Sequence, residues 1–180
     1  MQAACATLTD VRAFQEVARE YEEGGDLGSA IAVARYATVC APIEPAAWVF
    51  LAECLVRSAG SVVSVLEKGD FFAEARQALQ RALALEPRYT PAHLALGRFF
   101  VMMAYRNGGT PTPGIRHLQQ VIESLPVPAH GPNAALLAQA YFYTGMGYRT
   151  LGDESQALAC FTTALTHLPT FQPALLARQS

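Results

Sequence analysis

The chain has 180 residues, of which 52% are hydrophobic and 16% charged, and its formal net charge is −2. That apolar content excludes a natively disordered chain, which cannot bury enough surface to collapse. Thirteen basic residues against 15 acidic, with Lys68 the sole lysine, exclude a bulk polycationic surface, so no nucleic acid partner is expected.

The opening MQAACATLTD has neither a basic stretch nor a long apolar run. It reads as a lead-in over residues 1–10 rather than a secretory signal. No segment reaches about 18 uninterrupted apolar residues, so no membrane span is expected. Cys5, Cys40, Cys54 and Cys160 are far apart and form no C-x-x-C pair. The expectation is therefore four reduced thiols and a cytoplasmic protein.

Residues 11–44 predict a pair of helices. Phe14, Ala18 and Tyr21 are spaced by four and three, the face of a first helix, and Ala30, Ala34 and Ala37 mark a second that ends near Pro42. A small residue between two large ones lets a crossing helix approach closely. Gly25-Asp26 supplies the turn: glycine tolerates the left-handed conformation that ends one helix, and aspartate caps the next.

Residues 45–89 repeat the arrangement with Trp48, Ala52 and Leu55, then Ala75, Leu79, Ala82 and Pro87. Gly69-Asp70 stands where Gly25-Asp26 stood. Eleven extra residues fall at 58–68, about three helical turns, so a helical face would keep its phase. Leu51, Leu55, Ala59, Val62, Val63 and Leu66 continue one stripe. A lengthened first helix with Gly60 as its weak point is the favoured reading, and a loop around Ser58 to Ser64 the alternative.

Residues 90–128 carry His93, Gly97 and Phe100, then Gly114, Leu118, Val121 and Pro126. Between them RNGGTPTPG, Arg106 to Gly114, predicts a loop, and a linker follows at Pro128 to Pro132. The last pair, 138–171, has Tyr141, Gly145 and Tyr148, then Ala157, Phe161, Ala164 and Pro169. Here Gly152-Asp153 makes the turn, and Gln156 completes a capping box with Asp153. FQPALLARQS then begins another first helix and stops, leaving 172–180 as a short cap. That end either meets another subunit or folds onto the second helix of the last pair.

These residues resemble the tetratricopeptide repeat, whose pattern is W-x2-L-G-x2-Y, then A-x3-F, then P. Tyr141, Thr144, Gly145, Tyr148, Ala157, Phe161, Ala164 and Pro169 carry it most fully. The resemblance covers 11–171 as a single domain. It implies an all-α fold: four helix-turn-helix repeats stacked as a right-handed solenoid with a short C-terminal extension.

The resemblance also implies a concave surface lined by the first helix of each pair. In the first repeat its positions are polar: Arg12, Gln15, Glu16, Arg19 and Glu22. In the second they include Val49, Phe50 and Glu53, and in the third Leu94, Arg98 and Val101. In the fourth they include Phe142, Tyr143, Met146 and Arg149. First helices two to four are thus apolar nearly all round, and such helices require burial on both faces. Burying five such side chains yields roughly 7–15 kcal/mol gross, against association costs of about 4–15 kcal/mol.

The expected function is non-catalytic recognition of an apolar or amphipathic peptide segment of a partner protein, in the manner of a chaperone or assembly factor. Self-assembly of the chain into a homo-oligomer through the groove or the C-terminal end is the alternative. Arg19, Glu53, Arg98 and Arg149 would fix the register of a bound segment by charge-assisted hydrogen bonds, or would be solvated or paired with one another. The lysine-asparagine-lysine-arginine clamp by which some members bind acidic chaperone tails is absent: Gln15, Arg19, Phe50, Pro91 and Ala95 hold its positions.

No phosphate loop, dinucleotide fingerprint, H-E-x-x-H or nucleophile elbow occurs. His93, His117, His130 and His167 have no acidic or cysteine partner at ligand spacing. No catalytic residue, cofactor or metal is expected, and His93 reads as a core or interface residue.

Overall fold

A computed structural model describes residues 10–61, 63–126 and 130–179. Every described element is an α-helix: α1 (Val11–Glu23), α2 (Leu27–Cys40), α3 (Pro45–Ala59), α4 (Val65–Leu85), α5 (Thr90–Asn107), α6 (Thr112–Ser124), α7 (Pro132–Thr150), α8 (Glu154–His167) and α9 (Gln172–Gln179). They fall into two compact units, Met1–Ala92 and His93–Ser180.

In the first unit α1 packs on α2, α2 on α3, and α3 on α4. The alternating small positions are among its best-buried points. Ala18 and Ala52 are 1% exposed, and Ala30, Ala34, Ala37, Ala75 and Ala82 are wholly buried. Asp26 caps α2, its carboxylate accepting from the Ser29 backbone N–H at 3.0 Å and the Ser29 hydroxyl at 2.6 Å. Gly25 before it takes φ +80°, a conformation that side-chain-bearing residues rarely adopt. Trp48 reaches back along its turn and donates its indole N–H to the Pro42 carbonyl at 3.0 Å.

In the second unit α6 packs on α7, α7 on α8, and α8 on α9. Val101, Leu118, Val121 and Ala140 are completely buried in one cluster, Ala138, Ala164 and Ala174 in another. The glycines at the small positions mark close crossings. A Cβ on Gly97 would lie 2.5 Å from Leu118 Cγ, and one on Gly145 2.6 Å from Phe161 Cε1. Asp153 caps α8 by accepting from the Gln156 N–H at 3.0 Å.

Three expectations change. The extra residues of the second repeat lengthen the second helix of the pair, not the first: α3 stops at Ala59, and α4 runs for 21 residues from Val65. Gly60 closes α3, and Ser64 opens α4 by accepting from the Glu67 N–H at 3.4 Å. Gly69-Asp70 consequently lies inside α4 rather than at a turn, so Asp70 caps nothing. Finally, Cys40 is disulfide-bonded while Cys54 and Cys160 are free; Cys5 lies outside the described residues. Separation along the chain, which argued against pairing, does not limit approach in space. The expectation of four reduced thiols fails at Cys40, and with it the thiol argument for a reducing compartment.

The glycine-proline stretch is a loop at its centre, with Gly108 and Gly109 at φ +77° and +106°, though α5 extends into it to Asn107 and α6 begins at Thr112. The C-terminal segment takes the second of its two expected placements. It forms α9 and folds onto α8, burying Ala174 completely and setting Phe171 edge-on to Phe142 at 5.7 Å. Among the described residues no helix is long and apolar enough to cross a membrane.

Candidate functional site

Helix α1 buries one side, although Val17 and Tyr21 stay exposed. Val11, Phe14 and Ala18 are buried, while Arg12, Gln15, Glu16 and Arg19 project from the other side. Across from them α3 presents Phe50, Glu53 and Arg57 at spacings of three and four, one helical face. Together with Glu22 these side chains line an open cleft of about 580 Å³ within the first unit. Ala18 and Phe50, 1% and 4% exposed, form its floor.

The cleft is edged by charge. Arg57 donates to Glu22 Oε1 through Nε at 3.1 Å and Nη2 at 2.9 Å, and Nη2 also lies 3.4 Å from Cys54 Sγ. Burial pulls the Arg57 pKa down, but the Glu22 hydrogen bond and the nearby Cys54, Glu22 and Glu53 outweigh it, so the net shift is upward. Cys54 itself is pushed up to about 12, chiefly by burial, with the Arg57 charge acting in the opposite sense. Among the described residues no hydrogen bond or ion pair engages the side chains of Arg12 or Arg19. The apolar trough expected from the repeat pattern is therefore not what the first unit presents: Phe50 is its one aromatic, sunk beneath three arginines and three glutamates.

The sequence-derived positions distribute unevenly. Arg19, Phe50 and Glu53 share the cleft. Val49, next to Phe50, turns away and is 7% exposed. In the second unit Val101 is wholly buried, and Leu94, Tyr143 and Met146 pack half-buried against its cluster. Phe142 is half-buried among aromatic rings, 5.1 Å from Tyr143 and 5.8 Å from Phe161. Arg98 is half-buried. Arg149 is held within the chain: Nη2 donates to Glu154 Oε1 at 2.6 Å and to the Ala177 carbonyl at 2.8 Å, and its guanidinium lies 4.9 Å above the Phe161 ring. Arg57 was missed by the sequence reading, although its place four residues after Glu53 puts it on the same face.

Comparison with solved structures follows the same lines. The crystal structure of TTC0263, a thermophilic TPR protein from Thermus thermophilus, superposes with a TM-score of 0.73 at 19% identity, over 94% of this chain and 80% of that one. The chain has the tetratricopeptide-repeat fold. A crystal structure of MamA shares this TPR architecture with a TM-score of 0.61 at 21% identity, over 88% of this chain and 78% of that one. A second MamA structure gives 0.60 at 21% identity, over 90% and 75%. No protein-family model and no curated protein matches the chain.

Within the TPR fold the described residues assemble no group of three potential metal ligands. The free thiols are both shifted upward by burial, the direction that suppresses a nucleophilic thiolate. What the cleft can do chemically is pair with charges and hydrogen-bond.

Proposed function

We propose that the chain is a non-catalytic protein-recognition module that binds a peptide segment of a partner protein in the α1–α3 cleft. The observation that carries this reading is the pair Arg12 and Arg19, exposed beside the cleft with no partner among the described residues. Guanidinium groups left open beside a floor of Phe50 and Ala18 suit a segment with carboxylates on one side and an apolar residue on the other. The two open guanidinium groups shift the expected ligand from an oily segment to an amphipathic, acidic one. Repeat scaffolds use their first-helix surfaces in this way.

The reading is tested by selecting from a random-peptide display library on the natural chain and on an Arg12→Glu, Arg19→Glu variant, with helix content checked by circular dichroism. The natural chain is expected to enrich acid-containing sequences with an apolar anchor, and the variant to lose them. Identical enrichment on both would overturn the proposal. Light scattering at several concentrations distinguishes a client segment from a second copy of the chain as the occupant.

A further inference from the structure

His93 on α5 and His117 on α6 direct ring nitrogens at each other. Their Nδ1 atoms are 3.0 Å apart, with ring centroids at 5.2 Å and planes inclined by 45°. Two imidazole nitrogens at that distance need one hydrogen between them, one nitrogen donating and the other accepting on its lone pair. The pair meets this condition when both rings are neutral and when one is charged. It fails when both are charged, because each Nδ1 then carries a hydrogen.

The surroundings sharpen that condition. The Phe100 ring lies parallel to His117 within 6°, at 6.2 Å, and both histidines are half-buried. The charged groups acting on His117 are His93 across the hairpin and Arg116 beside it on α6. Among the described residues no carboxylate acts on it. Burial first, then these two positive partners, hold its pKa below the ordinary 6.5. Among the described residues no third ligand joins the pair to make a metal site. The shared species is a proton.

We propose that His93 and His117 form a one-proton clasp that closes the α5–α6 hairpin at neutral pH and releases it in acid. The clasp sits four residues before the Gly97–Gly114 crossing, whose contacts do not titrate, so release opens the start of α5 and not the crossing itself. Leu94, adjacent to His93 and packed on the Val101 cluster, loosens with it. The sign follows from linkage: a histidine with a lowered folded pKa contributes stability that is present above 6.5 and lost as pH falls below it. With one hydrogen between them, the pair takes up its second proton only as the Nδ1–Nδ1 hydrogen bond breaks.

Side-chain nitrogen NMR from about pH 8 to pH 5 follows the rings directly across the histidine range. The expected result is two distinct steps shared by His93 and His117, the lower one moving the Phe100 and Leu94 resonances. A single step at the free-histidine value for both rings, with Phe100 unmoved, would overturn the clasp. A second measurement compares the fall in Tm between pH 7.5 and 5.5 in the natural chain and in His117→Gln, which keeps a hydrogen-bonding group but does not titrate. The fall is expected to be smaller in the variant by about 2–4 °C; equal falls would also overturn it.

Discussion

Gly97 and Gly114 meet backbone to backbone where α5 crosses α6: a Cβ on Gly114 would lie 2.7 Å from the Gly97 carbonyl oxygen. A Cβ on Gly97 would in turn lie 2.5 Å from Leu118 Cγ and 3.1 Å from the Gly114 carbonyl. Leu118 is wholly buried, so it has nowhere to withdraw. Gly97→Ala is therefore expected to destabilise by about 1–3 kcal/mol through overpacking, despite the gain of about 1 kcal/mol that alanine brings inside a helix.

Gly69 is the converse. It lies inside α4, and a Cβ there would meet nothing within 4 Å. Gly69→Ala is expected to stabilise by about 0.5–1 kcal/mol. Urea unfolding of the two variants side by side checks both; shifts in the same direction would contradict the assignment of one glycine to a crossing and the other to an open face.

Cys54 tests the interior of the first unit. A thiol raised from 9.0 to about 12 has a thiolate fraction at pH 8 lower by about a thousandfold. Alkylation of the native protein is expected to be slower at Cys54 than in the unfolded chain by on the order of a hundredfold or more, because the thiolate fraction falls and the side chain is buried. Mass spectrometry of the modified peptides measures it. Equal rates in native and unfolded protein would contradict the burial.

The Asp26 cap confers an acid dependence. Its pKa is lowered below 3.8, first by the Ser29 hydroxyl and then by the Ser29 backbone N–H. The charged form is thus favoured by folding, and its contribution is present above 3.8 and lost as pH falls through the lower folded value. Asp26→Asn keeps an acceptor and a good capping residue but not the titration. Its Tm should fall less steeply than that of the natural chain below about pH 4, as thermal melts would show; identical slopes would contradict the cap.

How far these features were legible depends on whether they are local. The small positions of each hairpin follow from spacing alone, because one helical face must bury whatever the loops do, and Ala30 is accordingly sealed, as are Leu118 and Phe161, whereas Tyr21, a large position of the first hairpin, is 42% exposed. Asp26 and Asp153 cap as read, since a cap needs only the next three residues. Asp70 carries the same dipeptide signal but sits within α4, because Ser64 with Glu67 offers an earlier start and four more apolar and aromatic residues, Val65, Leu66, Phe71 and Phe72, extend the helix. At the candidate cleft, spacing places Arg12, Gln15, Glu16 and Arg19 on the exposed side of α1. What spacing could not disclose was that Val101 would close over in its own cluster, or that Arg149 would turn to a carbonyl 28 residues further along the chain.

Arg149 gives a further test. It ties α9 to the last hairpin through the Ala177 carbonyl and Glu154, with 22% of its side chain exposed. Arg149→Ala is expected to weaken α9 locally by about 1.5–3 kcal/mol, the range for hydrogen bonds to charged groups. Hydrogen exchange of the 172–179 amides should accelerate accordingly, while those of α2 remain unchanged. Unaltered protection of α9 would show that Ala174 and Phe171 hold it unaided.

The most direct measurement is backbone amide NMR of the chain titrated with a peptide chosen by the display selection. Occupation of the α1–α3 cleft predicts that the largest shift changes cluster at Arg12, Arg19, Phe50, Glu53 and Arg57, and that Arg12→Glu with Arg19→Glu abolishes them. Shift changes confined to α2 and α4, or to the second unit, and unaffected by the charge reversals, would contradict recognition in this cleft.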